Sequence, residues 1–153
     1  MFYIKRNKMT QSLSKIFIHI VYHVSISSVK IRDEDNNNLY AYIGAIIKNN
    51  DSIPILINGM EDHIHILCVL SKKMSLAKLV EEIKRNSSRW IKRLHPHYKN
   101  FSWQRGYGGF SVSPLAHKSV KKYIENQKEH HKKMNFDEEY LMILKASGTQ
   151  YNE

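Results

Sequence analysis

The sequence contains a single cysteine and lacks any long apolar run. One thiol cannot form a disulfide within the chain. Cys68 lies among apolar residues, so we expect a buried free thiol and a reducing, cytoplasmic location. No stretch reaches the roughly 18 apolar residues of a membrane span, and the opening residues lack the apolar segment of a secretory signal. These absences favour a cytoplasmic protein that does not associate with membranes.

The charge of the chain is strongly one-sided. Lysine and arginine number 24 against 14 aspartate and glutamate residues, which gives a formal net charge of +10. Such an excess indicates a polyanionic partner, with nucleic acid favoured over an anionic membrane. The 153 residues suffice for one domain, so we expect a basic arm over 1–14, a folded core over 15–144 and a tail over 145–153.

Hydrophobic periodicity and turn residues divide the chain into eight predicted elements. They are a strand at 15–26, a helix at 38–48, strands at 53–57 and 63–70, a helix at 75–94, a strand or hairpin at 101–112, and helices at 116–133 and 137–145. The first six follow the order β-α-β-β-α-β. This order predicts an α+β, ferredoxin-like fold, in which an antiparallel sheet carries helices on one face and a further helix trails behind.

Two histidines occupy alternate positions of the third predicted strand. His63 and His65 share one face of that strand, where two imidazoles can converge on a metal ion. The simpler interpretation is that they form the solvated face of a half-buried strand. His19 and His23 of the first strand either face the same site or have only a polar-face role.

The trailing helix at 116–133 carries polar residues with catalytic chemistry. Tyr123 and Gln127 are four residues apart and share a helical face, and His130 and His131 follow one turn later. The helix has so few apolar residues that we expect it to bury little surface or to pack on a partner. The alternative is that Tyr123 is a core residue and that the position of Gln127 is incidental.

The helix at 75–94 carries mostly positive charge on its polar face. Such a face is usually only solvated, but charge of one sign favours contact with phosphates. Exposed aromatics such as Trp103 and Tyr107, and the basic arm, could also contact a single strand. The predicted DNA-binding residues are Lys78, Lys84, Arg85, Arg89, Lys92 and Arg93.

Four stretches together resemble one known family. They are INGMEDHIHILCVL at 57–70, SLAKLVEEIKRNSSRWIKRL at 75–94, WQRGYGGFSVS at 103–113 and YIENQKEHHKKMNFDEEYL at 123–141. In this order they resemble the single-tyrosine His-hydrophobic-His (HUH) transposases, which belong to small insertion sequences that move as single-stranded DNA. The resemblance extends from about Lys15 to about Leu144.

The resemblance implies a site and a reaction. His63, His65 and Gln127 would bind a divalent metal, Mg²⁺ or Mn²⁺, and Tyr123 would be the nucleophile. The enzyme would cleave and rejoin single-stranded DNA beside hairpins at element ends, through a 5′-phosphotyrosine intermediate. It would be a homodimer in which the tyrosine helix of one subunit can complete the site of the other.

Several alternatives remain open at this point. His130 or His131 competes with Gln127 as the third ligand, and Glu125 or Asp62 could assist. A domesticated relative that cuts repeated palindromes would carry the same residues. Two other functions fit the fold: a non-catalytic module that binds single-stranded nucleic acid, and a hydrolase that uses only the two histidines and a metal.

Overall fold

A computed structural model describes residues 11–149 of the chain. Most of the expected basic arm, residues 1–10, and the last residues of the expected tail, 150–153, lie outside the described range. The strands are β1 (Ile16–His23), β2 (Ile53–Gly59), β3 (His63–Leu70) and β4 (Gly108–Val112). The helices are α1 (Asn36–Asn49), α2 (Leu76–Leu94), α3 (His117–Glu125), α4 (Gln127–His130) and α5 (Phe136–Ser147). None of the helices within 11–149 is long and apolar enough to cross a membrane.

The four strands form one sheet in the order β2-β3-β1-β4, and every neighbouring pair is antiparallel. With α1 and α2 as the crossovers, this confirms the predicted ferredoxin-like α+β arrangement. Pro54 has no N–H for the ladder, and it lies in the edge strand β2, where the register shifts between Pro54 and Leu56. The histidine strand β3 therefore lies inside the sheet, between β2 and β1.

The main apolar core lies between one face of the sheet and the helices α1 and α2. Even-numbered side chains of β1 and β3 point into it, and Cys68 is among them, buried as expected. The helices contribute apolar residues at helical spacing, such as Leu39 and Ile43 from α1 and Leu79 and Ile83 from α2. Because side chains alternate along a strand, the odd-numbered histidines of β1 and β3 point to the opposite face.

Two predicted strands are shorter in the structure. The first ends at His23 instead of residue 26, because the chain turns at 25–28, and Ile26 is 92% exposed. Only Gly108–Val112 of the segment 101–112 is a strand, and Val24 and Trp103 pair in an isolated bridge. The stretch 104–107 is therefore a loop at the edge of the sheet, where a strand or hairpin was predicted.

The predicted helix at 116–133 is interrupted. Asn126 leaves the helical conformation, with φ −93° and ψ 23°, and separates α3 from α4. The side-chain amide of Asn58 donates to the carbonyl oxygens of Ile124 and Glu125, at 2.8 and 3.3 Å, and so occupies acceptors that a continuous helix needs. As expected, most of the segment 116–133 stays partly or fully exposed, and its buried residues are Ile124 and Gln127.

Candidate active site

The histidine pair of β3 lies on the face of the sheet opposite to α1 and α2. His63 and His65 have no exposed surface, and their ring centroids are 5.2 Å apart. A tight β2–β3 connection precedes them: a Cβ at position 59 would collide with the carbonyl oxygen of His63, so Gly59 permits this close approach. The interpretation of the pair as a solvated strand face is therefore wrong.

Each histidine of the pair is oriented by a second side chain. The Nδ1 of His63 donates to the carboxylate of Asp62 at 2.7 Å, and the Nδ1 of His65 lies 2.9 Å from Nε2 of His19. Both rings therefore present Nε2 to the space under the trailing helices, as metal-binding histidines do. His19 thus lies behind the pair, whereas His23 donates to the carbonyl of Val24 at 2.8 Å and is directed elsewhere.

The trailing helices bring Tyr123 and Gln127 to the same place. Oε1 of Gln127 lies 3.0 Å from Nε2 of His63. The ring of Tyr123 lies edge-on to His65, with centroids 6.2 Å apart. Although the helix breaks between them, both side chains still face the histidine pair, so the structure assembles all four side chains that were predicted from distant parts of the sequence.

Sequence reasoning missed a fifth residue, Glu139 of α5. Its side chain is fully buried, accepts from the Tyr123 hydroxyl at 2.6 Å and lies 2.8 Å from Nε2 of His65. A signal for it exists: Glu139 is three residues after Phe136, on the apolar face of a helix, where an unpaired carboxylate is rare. We call His63, His65, Tyr123, Gln127 and Glu139 the buried cluster.

The residues considered as alternative metal ligands differ in their position relative to the buried cluster. His131 joins the rim of the buried cluster, with Nε2 3.2 Å from oxygens of both Gln127 and Glu139. His130 instead stacks on Tyr123, with ring centroids 4.5 Å apart. Glu125 is exposed, and Asp62 touches the site only through His63.

The electrostatics of the buried cluster place negative charge on Glu139. Burial alone would raise the pKa of this carboxyl, but hydrogen bonds from His63 and His65 hold it well below its usual range. Burial alone would lower the pKa of His63, yet the carboxylates of Asp62 and Glu139 and the Gln127 amide raise it to about 9. Burial and the bond to Glu139 raise the pKa of the Tyr123 phenol. The phenol therefore keeps its proton in this state.

The donor set of the buried cluster fits a divalent metal. One ligand atom from each of His63, His65 and Glu139 lies within 4.8 Å of the others. Nε2 of His63 is 3.0 Å from Oε1 of Gln127 and 3.4 Å from Oε1 of Glu139. Atoms that bind one small ion at about 2.0–2.2 Å have such separations. A mixed nitrogen and oxygen set suits Mn²⁺, Mg²⁺ or Zn²⁺.

The predicted DNA-binding residues lie on the other side of the sheet from the buried cluster, because α2 packs on the opposite face. Lys78 and Arg85 pair with Glu81 and Glu82 on the same helix. The ammonium of Lys84 donates to the carbonyl oxygens of residues 104 and 106, and burial lowers its pKa to about 8. The remaining three, Arg89, Lys92 and Arg93, are exposed and have no acidic partner within 11–149.

Comparisons with solved structures support the fold. A candidate transposase from Deinococcus radiodurans R1 is 21% identical, with a TM-score of 0.59 over 76% of this chain and 93% of that chain. A REP-associated tyrosine transposase bound to a REP hairpin is 13% identical, with a TM-score of 0.61 over 86% of this chain and 74% of that chain. No curated protein sequence is significantly similar to this chain.

The family comparison defines the class of protein as a transposase, a DNA-cleaving enzyme. The sequence profile of IS200-like transposases matches residues 12–127, which is most of the chain, and the chain therefore belongs to this family. The match includes both histidines of the pair and ends at Gln127, so Glu139 lies beyond it.

Proposed function

We propose that this chain cleaves and rejoins single-stranded DNA through a covalent bond to Tyr123, with a divalent metal held by His63, His65 and Gln127. One observation carries the proposal: the four side chains come from three separate elements, β3, α3 and α4, and converge in one buried cluster. The chemistry of that set, a phenol beside two imidazoles and an amide oxygen, is that of a nucleophile next to a Lewis-acid site.

The reaction balances without an external energy source. The Tyr123 oxygen forms a bond to phosphorus while the bond from phosphorus to the 3′-oxygen breaks. The phenol gives up one proton, and the departing 3′-oxygen gains one. A bound Mg²⁺ or Mn²⁺ supplies positive charge that polarises the phosphate oxygens and favours loss of the phenolic proton. The product is a 5′-phosphotyrosine, and attack by a 3′-hydroxyl reverses the step and rejoins the DNA.

Access to the site requires movement of its cover. Four residues of the buried cluster have no exposed surface, and Tyr123 is partly exposed. Phe136 of α5 covers the pair and stacks on His63, with ring centroids 4.6 Å apart. A DNA phosphate can therefore reach the histidines when α5 and its Phe136 shift from the sheet, and the partly exposed tyrosine marks the side of approach.

A path for DNA leads from α2 to the buried cluster past the loop 104–107, which precedes β4. On one side of the loop 104–107, a groove is lined by basic and aromatic residues, among them Lys84, Arg105 and Tyr107. On the other side, a hollow is lined by residues of the same loop and by Phe136. A single strand that follows this loop would contact α2 and reach the covered histidines. The structural similarity to a hairpin-bound transposase supports hairpin DNA as the ligand.

Two copies of the chain are expected to associate, and each copy holds its own complete cluster. Strand β4 is an edge strand with no partner on its outer side within residues 11–149. An uncovered edge is a ready pairing surface for a second chain. The buried cluster itself needs no residue from such a partner, since all five side chains belong to one chain.

The free basic end of α2 should contribute most of the electrostatic affinity for DNA. We expect the triple variant Arg89→Ala/Lys92→Ala/Arg93→Ala to weaken hairpin binding and to reduce the slope of log K against log salt by about 2 to 3. Fluorescence anisotropy across a salt series measures both the hairpin affinity and its salt dependence. Lys48→Ala, which changes an exposed lysine at the end of α1, is the control and should leave the slope nearly unchanged. A triple variant with the wild-type slope would exclude this end of α2 from the interface.

The reaction itself is tested by a search for a covalent adduct. Labelled single-stranded oligonucleotides with a hairpin, taken from the flanks of the encoding locus, are incubated with protein and Mn²⁺ or Mg²⁺. We expect a protein–DNA species that survives denaturing electrophoresis, together with a free 3′-hydroxyl fragment. Removal of the metal with EDTA should eliminate both, and added Mn²⁺ should restore them, since the metal is bound reversibly.

Other outcomes of the adduct experiment separate the competing functions. Tight hairpin binding without cleavage or adduct in any divalent metal would indicate a non-catalytic binding module. Cleavage without an adduct would indicate a hydrolase in which the histidine pair and a metal activate water. Either result would contradict the tyrosine reaction while leaving the fold and the family unchanged.

A further inference from the structure

Glu139 is held at the centre of the buried cluster by the start of α5. The side chain of Asn135 caps this helix by accepting from the backbone N–H of Glu138 at 2.9 Å. Phe136, one residue further on, stacks on His63 and also lies against His23, with ring centroids 5.2 Å apart in the second pair. The cap and the aromatic contacts together direct the first turn of α5, which carries Glu139, onto the histidine pair.

The two oxygens of Glu139 have different neighbours. Oε1 lies 2.8 Å from Nε2 of His65, 3.4 Å from Nε2 of His63 and 3.2 Å from Nε2 of His131. Oε2 accepts from the Tyr123 hydroxyl at 2.6 Å and from the Gln127 amide at 3.1 Å. One oxygen therefore faces the imidazoles, and the other faces the nucleophile.

A carboxylate in this position requires a nearby positive charge. Glu139 is fully buried, and within 11–149 it forms no ion pair with lysine or arginine. Burial of a charge without a counter-charge is strongly unfavourable. The atoms around Oε1 are imidazole nitrogens, so the positive charge is either a proton on them or a cation shared with them. Two histidines and one carboxylate are a common ligand set for divalent metals.

We propose that Glu139 is a metal ligand through Oε1, together with His63 and His65, and that its Oε2 positions the Tyr123 hydroxyl beside that metal. This inference rests on the proposed function and extends it, because one carboxylate would connect occupation of the metal site to the position of the nucleophile. Glu139 is then a positioning residue for the tyrosine, and a ligand that lies outside the segment matched by the family profile.

Metal affinity tests the ligand role directly. Mn²⁺ is titrated into the full chain, and free Mn²⁺ is followed by electron paramagnetic resonance. The isosteric variant Glu139→Gln should bind Mn²⁺ at least about tenfold more weakly than the wild type, and Glu139→Asp should recover part of the loss. The control is Glu138→Gln, an exposed neighbour on the same turn, which should bind as the wild type does. Wild-type affinity in Glu139→Gln would overturn the ligand role.

The positioning role has its own readout. At Mn²⁺ concentrations that saturate Glu139→Gln, the rate of adduct formation at saturating DNA should remain lower, while hairpin affinity stays unchanged. A wild-type adduct rate under these conditions would overturn the positioning role. A residue that only supported folding would instead lower thermal stability with no selective loss of metal affinity, and circular dichroism melting separates the two cases.

A measurement on the unmodified protein decides the ligand role even where the variants fail to fold. Crystals of the wild type grown with Mn²⁺ should show an anomalous peak within bonding distance of Glu139 and both histidines. A peak that contacts the histidines but not Glu139 would contradict this inference and leave the proposed function intact. If the wild type binds no Mn²⁺ at all, the metal step of the proposed function fails as well.

Discussion

Replacement of Tyr123 by phenylalanine is expected to abolish the covalent adduct and to lower DNA cleavage by at least roughly 10³-fold, because the nucleophilic oxygen is lost. The ring is retained, so its stacking on His130 at 4.5 Å between centroids should persist. Loss of the hydrogen bond to the buried, charged carboxylate of Glu139 should lower the free energy of unfolding by about 1.5–3 kcal/mol. Denaturing gels measure cleavage and adduct, and anisotropy should show unchanged hairpin binding.

The matched control for this substitution is Tyr42→Phe. Tyr42 lies on α1, across the sheet from the buried cluster, where it stacks on Trp90 with ring centroids 4.9 Å apart. The hydroxyl of Tyr42 is remote from the buried cluster, so its removal should leave cleavage at the wild-type rate. Cleavage that persists in Tyr123→Phe would contradict the assignment of Tyr123 as the nucleophile and favour hydrolysis at the histidine pair.

The parts of the site that sequence predicts are those defined by local geometry. His63 and His65 are two residues apart on a strand, and the period of a strand alone places them on one face. Tyr123 and Gln127 are four residues apart, and their shared direction survives the break at Asn126 because the chain resumes a helical turn at once. In both pairs the two residues are close in sequence, and the local backbone geometry determines that their side chains face the same way.

The parts that sequence did not predict depend on contacts between distant segments. Glu139 is 74 residues from His65, and it reaches the histidine only because the turn after α4 folds α5 back onto the sheet. The helix break depends on Asn58, which is 66 residues from Ile124. The amphipathic pattern of α2 predicted which side of the helix is buried, but no local pattern indicates which face of the sheet the helix covers.

A mixture of two inactive variants tests whether Tyr123 acts at the site of its own chain or at the site of a partner chain. His63→Ala and Tyr123→Phe should each be inactive, at less than roughly one thousandth of wild-type cleavage, and an equal mixture should stay inactive. His63→Ala removes a metal ligand, and Tyr123→Phe removes the nucleophile. Only a site shared between two chains could combine the intact tyrosine of one variant with the intact histidines of the other.

The structure supports action within one chain because α3 is anchored to its own sheet. Asn58 of β2 holds the end of α3 through two carbonyl oxygens, and Ile124 beside the tyrosine is fully buried. The mixture is assayed for adduct after the two variants are incubated together long enough for subunits to exchange. His97→Ala, an exposed histidine outside the buried cluster, is the active control.

A mixture that recovers activity would show that the tyrosine crosses between chains. Random pairing puts half of the dimers in the mixed form, with one of two sites complete, so recovery would reach about a quarter of the wild-type level. Such exchange would require α3 to leave Asn58 and to expose Ile124 before it reached the partner. The inactive mixture is therefore the expected result, and it would identify the folded monomer as the unit that carries the complete catalytic site.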